Sequence, residues 1–257
     1  MVAVNKVFVE THTHLDLIKN STEKVVKEAA ENGVKRMITI GIDLPSSRIS
    51  LEFASRFKGV YAAIGYHPNE SKLISEEKWE EIGRLAENEK VVAIGETGLD
   101  YYRRGSTIRQ QVNVFTKHIE LAKKLNLPLI VHDRDAHKDI LQILKEKASG
   151  LKVVIHCFSG DIQMARECVK EGYYIGIGGV VTFKNAKALQ AVTEEYPMDK
   201  ILLETDSPFL APHPFRGKPN EPKYIPLIAE KIAELKDISI KHVAKITTEN
   251  SKTLFSI

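Results

Sequence analysis

The stretch Val7-Phe8-Val9-Glu10-Thr11-His12-Thr13-His14 begins as a short apolar run and ends in two histidines one residue apart. An extended chain alternates its side chains, so His12 and His14 share a face and can aim two imidazoles at one ion. Alone, that pair is only moderately informative, and what surrounds it decides more. Seven further runs of the same character follow: Arg36–Ile40, Val60–Ile64, Val91–Ile94, Leu129–Val131, Val153–Ile155, Tyr173–Ile177 and Ile201–Leu203. Near-continuous apolar runs of this length are the pattern of strands buried on both faces, and Val7–Val9 is the first of eight.

Amphipathic segments fill the gaps. Thr22–Asn32 carries Val25, Val26 and Ala29 on one stripe and stops at Gly33. Helices are also predicted over Ser46–Phe57, Ser75–Glu87, Thr107–Asn126, Asp135–Lys147, Asp161–Glu171 and Asn185–Glu195. Two more, Pro222–Leu235 and Ser239–Leu254, close the chain. Strand-helix alternation repeated eight times predicts an α/β protein, a single (β/α)8 TIM-type barrel over residues 1–257. A doubly wound open sheet would give a similar alternation.

The polar residues at the strand ends separate the two. His12 and His14 follow the first run, His67 the third, Glu96 the fourth, His132 the fifth, His156 the sixth and Asp206 the eighth. In a barrel all these ends meet on one rim, where barrel enzymes place their active sites; an open sheet would string them along a line. Each has a plain alternative. His132 and His156 could be satisfied core histidines, His67 could shape the turn before Pro68, and Asp206 could cap the next segment. Chance packing does not explain their regular recurrence at the same end of successive strands. His118, His137 and His242 fall in predicted helices and are expected at the surface or in packing, away from the rim. His213 belongs to the Pro-rich stretch after Asp206.

Composition sets the bounds. With 257 residues, 43% hydrophobic and 28% charged, the chain has the make-up of a globular protein with a sizeable core. No apolar run is long enough for a transmembrane helix, and residues 1–12 lack the layout of a signal peptide, so a cytoplasmic protein is expected. Cys157 and Cys168 suggest neither a disulfide framework nor a Cys-x-x-Cys site; both are expected to be packing residues, with Cys157 open as a ligand because it adjoins His156. A net charge of +3 permits an anionic partner without requiring one.

Beyond spacing, whole motifs resemble a known family. His12-Thr13-His14-Leu15-Asp16, Gly95-Glu96-Thr97-Gly98-Leu99-Asp100-Tyr101, His156-Cys157-Phe158-Ser159-Gly160 and Leu203-Glu204-Thr205-Asp206-Ser207-Pro208 are similar to those of the TatD-type metal-dependent deoxyribonucleases. So are Arg216-Gly217-Lys218 and Asn220-Glu221-Pro222, and the likeness runs nearly end to end. These enzymes belong to the amidohydrolase-like barrel superfamily. The resemblance implies two divalent cations, with His12, His14, Glu96 and Asp206 around the first. Glu96 would bridge to the second, completed by His132 and His156, and His67 would face the substrate. It departs at Glu10, where Asp is more usual, and at Asp133, where Ser or Thr is common.

The implied chemistry is metal-dependent hydrolysis by activated water, with Glu96, Asp206 and His67 as catalytic residues. With Glu96 and Asp206 as the only anionic ligands, two dications leave a surplus of about +2, which suits a phosphodiester. Arg103, Arg104, Arg134, Lys184, Arg216 and Lys218 fall on predicted rim loops as a basic funnel, interleaved with Tyr101, Tyr102 and Phe215, which could stack on bases. Tyr101, Arg103, Arg134 and Arg216, with His67, are the expected substrate contacts. The expected activity is 3′-5′ exonuclease-type cleavage of single-stranded DNA, with RNA as a second candidate substrate, and without an obligate protein partner or a membrane. Mg2+ is the expected functional ion; the four imidazoles also suit Zn2+, Mn2+ or Ni2+ as bound ions. The alternatives are a metal-dependent amidohydrolase, a phosphotriesterase-like enzyme or an aminoacyl-tRNA deacylase on the same site, or a non-catalytic binding protein on a retired barrel. Eroded ligands would mark the last, and none is missing.

Overall fold

Eight parallel strands run in the order β1 to β8, each hydrogen-bonded to the next in sequence. They are β1 Phe8–Thr13, β2 Val34–Ile40, β3 Val60–Ile64, β4 Val91–Asp100, β5 Leu129–Arg134, β6 Val153–Ile155, β7 Tyr174–Ile177 and β8 Ile201–Leu203. The computed structural model describes residues 6–72, 74–103 and 105–257, so Arg104 lies outside the described residues. A doubly wound sheet reverses its strand order partway; this one does not. Its two ends meet instead. Thr13 bridges Ser207, His14 N–H donates to the Ser207 carbonyl at 2.8 Å, and Asp206 N–H donates to the His12 carbonyl at 2.9 Å. The sheet closes as a barrel just past the end of β8.

Helices cover the outside: α1 Thr22–Glu31, α2 Leu44–Arg56, α3 Glu76–Ala86, α4 Ile108–Leu125, α5 His137–Lys147, α6 Ile162–Lys170, α7 Lys187–Glu195, α8 Ile225–Lys236 and α9 Ile240–Phe255. Their starts follow local chemistry. Ser21, Ser75, Asp161 and Ser239 cap α1, α3, α6 and α9 with side-chain oxygens that accept a backbone N–H. Thr107 and Gln110 form a reciprocal capping box on α4. Helix α2 begins two residues before Ser46, because Asp43 is the cap and Ser46 the returning partner of its box. Pro222–Tyr224 forms a separate 3-10 turn, so α8 starts only at Ile225.

Three strands outrun their apolar runs. Strand β1 continues through His12 to Thr13, β4 through Glu96 to Asp100, and β5 through His132 to Arg134. Most of the added residues are polar, and nearly all are buried, because near the mouth the barrel interior is lined largely by polar groups. The register of β4 against β5 shifts between Ile94 and Thr97. Gly98 makes the close approach there possible: with φ +142°, a Cβ would stand 2.1 Å from the His132 carbonyl oxygen.

Apolar packing divides in two. A large layer joins the outward faces of the strands to the helices, with Phe8, Met37, Phe115 and Ile228 among its members. A second, smaller group packs Ile38, Ile40, Ile130, Val154 and Leu202 with Leu254 and Phe255 of α9. Helix α9 lies across the start of β1 and β8: Thr248 donates to the Val7 carbonyl at 2.9 Å, and Asn250 to the Ile201 carbonyl at 2.8 Å. It thereby plugs the N-terminal end of the barrel and leaves the C-terminal end to the polar residues. Among the described residues, no helix is long and apolar enough to cross a membrane.

Candidate metal centre

All seven strand-end residues named from the sequence converge at that open end. The geometry turns on Glu96, 3% exposed, whose two carboxylate oxygens face different partners. Its Oε2 lies 3.4 Å from His12 Nε2 and 3.8 Å from His14 Nε2. Asp206 Oδ1 completes that group, 3.4 Å from His14 Nε2 and 3.8 Å from His12 Nε2. Glu96 Oε1 instead accepts from His132 Nδ1 at 2.6 Å and lies 2.8 Å from His156 Nε2. One carboxylate thus joins two clusters, His12–His14–Asp206 and His132–His156.

Do these groups fit a cation? His12 Nε2 is fully buried and has no hydrogen-bond partner; its 3.4 Å approach to Glu96 is too poorly aligned to be one. Leaving such a nitrogen unsatisfied is unfavourable unless something electrophilic occupies the space in front of it. The donor atoms of His12, His14 and Asp206 lie within 4.8 Å of one another, and so do those of Glu96, His132 and His156. Imidazoles with carboxylates are a donor set for divalent transition ions. The residues fit two such ions.

The electrostatics describe the same cluster. Burial alone would raise the Glu96 pKa, but the His156, His67, His12 and His132 imidazoles outweigh it and hold the carboxyl well below its usual range. Asp206 is likewise held down against burial by His14, His156 and His12. Burial would lower His156, yet Glu96 and Glu204 carry it well above the ordinary histidine range. His132 and His14 move up for the same reason, against their burial, through Asp100 with Glu96 and through Asp206. Groups that draw protons this strongly draw dications too, and a bound ion displaces the protons from the imidazoles.

His67 does two jobs at once. It caps the 3-10 turn Pro68–Glu70, its Nδ1 accepting from Asn69 N–H at 3.1 Å, so the turn expectation is met. That bond leaves the proton on Nε2, which stands 3.7 Å from Glu96 Oε1. Burial pushes the His67 pKa down to about 4.

Two carboxylates enter that the sequence motifs contained but to which no role was attached. Asp100 Oδ2 lies 3.4 Å from His132 Nε2, and Glu204 Oε1 lies 3.6 Å from His156 Nδ1. Each stands on the far side of an imidazole whose other nitrogen faces Glu96, near the facing ring nitrogen without meeting hydrogen-bond geometry, in the position from which a carboxylate orients a ligand ring in metal sites. Spacing could have found Asp100, which is Glu96 plus four along β4; Glu204 lies past the end of β8, two residues before an Asp206 with left-handed backbone, where strand alternation carries no signal. Their charge offsets the surplus of about +2 expected from Glu96 and Asp206 alone. Attraction of an anion must then come from the rim.

Glu10 is fully buried and accepts from His12 N–H and Thr205 N–H, both at 2.9 Å, tying β1 to the segment after β8 beneath the cluster. Burial raises its pKa to about 8. Asp133 turns away from its neighbour His132 and accepts from His137 Nδ1 at 2.7 Å and Ala136 N–H at 3.3 Å. His137 was expected away from the rim; it is the first residue of α5, and a helix that follows a barrel strand begins on the rim side. His118 is fully buried as packing, and its Nε2 accepts from Tyr66 N–H at 3.0 Å. Cys157 and Cys168 are free thiols, and neither joins a metal-capable group among the described residues.

The expected substrate contacts sit around this centre in different states. Arg134 is exposed and lies over the Tyr102 ring at 5.1 Å. Arg216 lies over Phe183 at 4.4 Å, Lys218 over Phe215 at 5.9 Å, and exposed Arg103 donates its N–H to Asp100 at 2.7 Å. Lys184 is exposed in the segment before α7. Tyr101 is committed elsewhere, its hydroxyl donating to Asp139 at 2.5 Å. Phe215 is stacked on Tyr224 at 4.5 Å.

A family model described as TatD related DNase matches residues 9–256. An uncharacterized metal-dependent hydrolase, YabD of Bacillus subtilis, is 47% identical over 251 residues, 96% of this chain and 98% of its own. A 3′-5′ ssDNA/RNA exonuclease, TatD of Salmonella typhimurium, is 36% identical over 241 residues, 91% of this chain and 93% of its own. Among solved structures, the TatD homolog YJJV of Escherichia coli superposes with a TM-score of 0.92 at 31% identity, covering 97% of this chain and 98% of that one.

Proposed function

From the premise that this chain belongs to the family of TatD-related DNases, we propose that it is a metal-dependent phosphodiesterase removing nucleotides from the 3′ end of single-stranded DNA, with RNA as a second substrate. The observation that carries this is the divided Glu96: one carboxylate between two clusters of donors, open to the barrel mouth. His12, His14, Glu96 and Asp206 would hold one dication, and Glu96, His132 and His156 a second. When bound, such a pair supplies Lewis acidity that lowers the pKa of water and neutralises charge on a phosphoryl group.

The chain's own residues do the rest. Asp206, 15% exposed at its side chain and held ionised, faces the mouth and accepts the proton of the attacking water. His67, neutral at pH 7 and carrying its proton on Nε2, donates a hydrogen bond to a phosphate oxygen and so orients the substrate. Asp100 and Glu204 hold the rings of His132 and His156 in place. Arg103, Arg134 and Arg216 draw the backbone phosphates to the rim. Among the described residues no element is placed to read base edges, so cleavage is sequence-tolerant.

Mg2+ is the proposed functional ion, and the four imidazoles would also retain Zn2+, Mn2+ or Ni2+ through purification. The direct test is hydrolysis of labelled single- and double-stranded oligonucleotides across these metals. Shortening of single strands from the 3′ end, with a steep fall as salt rises, is expected. Intact oligonucleotides beside cleavage of an amide, a phosphotriester or an aminoacyl ester would overturn it in favour of another hydrolase on the same site.

A further inference from the structure

Two aromatic side chains stand largely in solvent among the described residues: Tyr102, 66% exposed, and Phe209, 48% exposed. Isolated exposed apolar residues are ordinary on any protein. These two are not placed at random. Tyr102 follows β4 and Phe209 follows β8, four strands apart in a closed ring of eight, hence on opposite sides of the mouth.

Each flanks one half of the metal centre. The Phe209 ring lies edge-on to His14, 6.1 Å between centroids. Tyr102 N–H donates to Asp100 Oδ1 at 3.0 Å, and the other oxygen of Asp100 lies 3.4 Å from His132 Nε2. The Phe209 ring therefore borders the His12–His14–Asp206 group, and the Tyr102 backbone is anchored, through Asp100, beside the His132–His156 group.

The Phe209 segment is held firmly for an exposed loop. Phe209 N–H donates to the Asp206 carbonyl at 2.9 Å. Asn220, fully buried, donates from its side chain to the Phe209 carbonyl at 2.6 Å and to the Thr205 carbonyl at 2.8 Å. The next residue, Leu210, takes φ +54°, a left-handed conformation that leucine rarely adopts. Its carbonyl fits only because residue 179 is glycine; a Cβ there would stand 2.2 Å away. Strain and buried hydrogen bonds are thus spent on presenting a bare ring beside the centre. On the opposite side, Arg134 covers one face of Tyr102 at 5.1 Å and adds a positive charge to that platform. Other aromatics around the centre are already engaged, Tyr101 with Asp139, Phe215 with Tyr224 and Phe183 under Arg216.

We propose that Phe209 and Tyr102 are base-stacking platforms that hold the nucleobases on either side of the hydrolysed phosphodiester. This rests on the nuclease function proposed above and deepens it. The substrate unit becomes an unpaired dinucleotide step splayed across the mouth, one base per ring. Bases paired in a duplex cannot reach both platforms, so single strands are selected without reading sequence.

The test uses metal-loaded protein and a fluorescein-labelled single strand with phosphorothioate terminal linkages, with binding followed by anisotropy. A second strand of the same length lacks the bases of its last two 3′ nucleotides. Phe209→Ala and Tyr102→Ala should each weaken binding of the intact strand about tenfold, while Phe209→Tyr retains it. Neither alanine variant should alter binding of the abasic strand. With cleavable strands, KM should rise roughly tenfold in both alanine variants while kcat changes less than about threefold. Equal losses on intact and abasic strands would overturn the platforms in favour of a merely structural role. Unchanged binding in Phe209→Ala, with a wild type that binds and cleaves, would overturn the Phe209 platform and leave the nuclease function standing. A wild type that neither binds nor cleaves either strand would overturn both.

Discussion

The two ends of the barrel interior are built from the same strands and teach opposite lessons. Toward the start of the strands, Ile130, Val154 and Leu202 pack with Leu254 and Phe255 of α9. Toward their end, His12, His14, Glu96 and His156 are buried and His132 and Asp206 half-buried, with Glu10 and Glu204 buried beside them. The apolar end gains by removing surface from water. The polar end gathers carboxylates and imidazoles that are expensive to desolvate unless each satisfies another or a cation satisfies them together. Stability should depend on the first end and chemistry on the second, and substitutions can separate them.

The sharpest separation is expected at Glu96. Glu96→Gln should lower kcat on the order of 10^3-fold or more while the protein stays folded. Steady-state kinetics beside a thermal melt would check it, and a variant that loses stability but keeps kcat would reverse the assignment of the two ends. Leu202→Ala should do the converse, costing about 3 kcal/mol of unfolding free energy with kcat of the folded fraction nearly unchanged. Urea unfolding read beside activity per folded molecule tests that.

Between the two ends in character lies His118, fully buried and kept neutral, its pKa pushed down to about 4 by burial. The unfolded chain binds this proton near pH 6.5, so the unfolded state holds more protons between about pH 6.5 and 4. Stability should therefore be full above that window, fall as pH drops through it, and level off below, by at most about 3 kcal/mol. A His118→Gln variant should show a shallower loss on acidification; an identical pH profile would remove His118 from the acid response. The smallest effect is expected behind the ligands. Asp100→Asn and Glu204→Gln should each weaken metal affinity or activity about 10- to 100-fold, with Tm nearly unchanged. Metal titration followed by activity distinguishes this from a ligand's loss.

The apolar end was legible in the sequence because uninterrupted runs such as Leu129–Val131 have one reading in an alternating chain. The polar end was legible because a histidine closing an apolar run is conspicuous: four strands closed that way, and two more closed in the carboxylates Glu96 and Asp206. Less visible was how far the strands run. Glu10, Thr11 and His12 look like a loop to a hydrophobicity pattern, yet they are strand, buried against partners that exist only once the barrel is closed. Glu204 was hidden for the same reason: an acidic residue beside a turn resembles surface until the imidazole it faces is located. Phe209 gave no signal at all, since an aromatic after Pro208 predicts burial more often than display.

The central claim is that Glu96 joins two metal sites. Elemental analysis of purified wild type and Glu96→Ala, each reconstituted with the same ion, addresses it most directly. About two ions per chain in the wild type and at most one in the variant is the predicted result. Equal metal content in both, with activity preserved in Glu96→Ala, would contradict it.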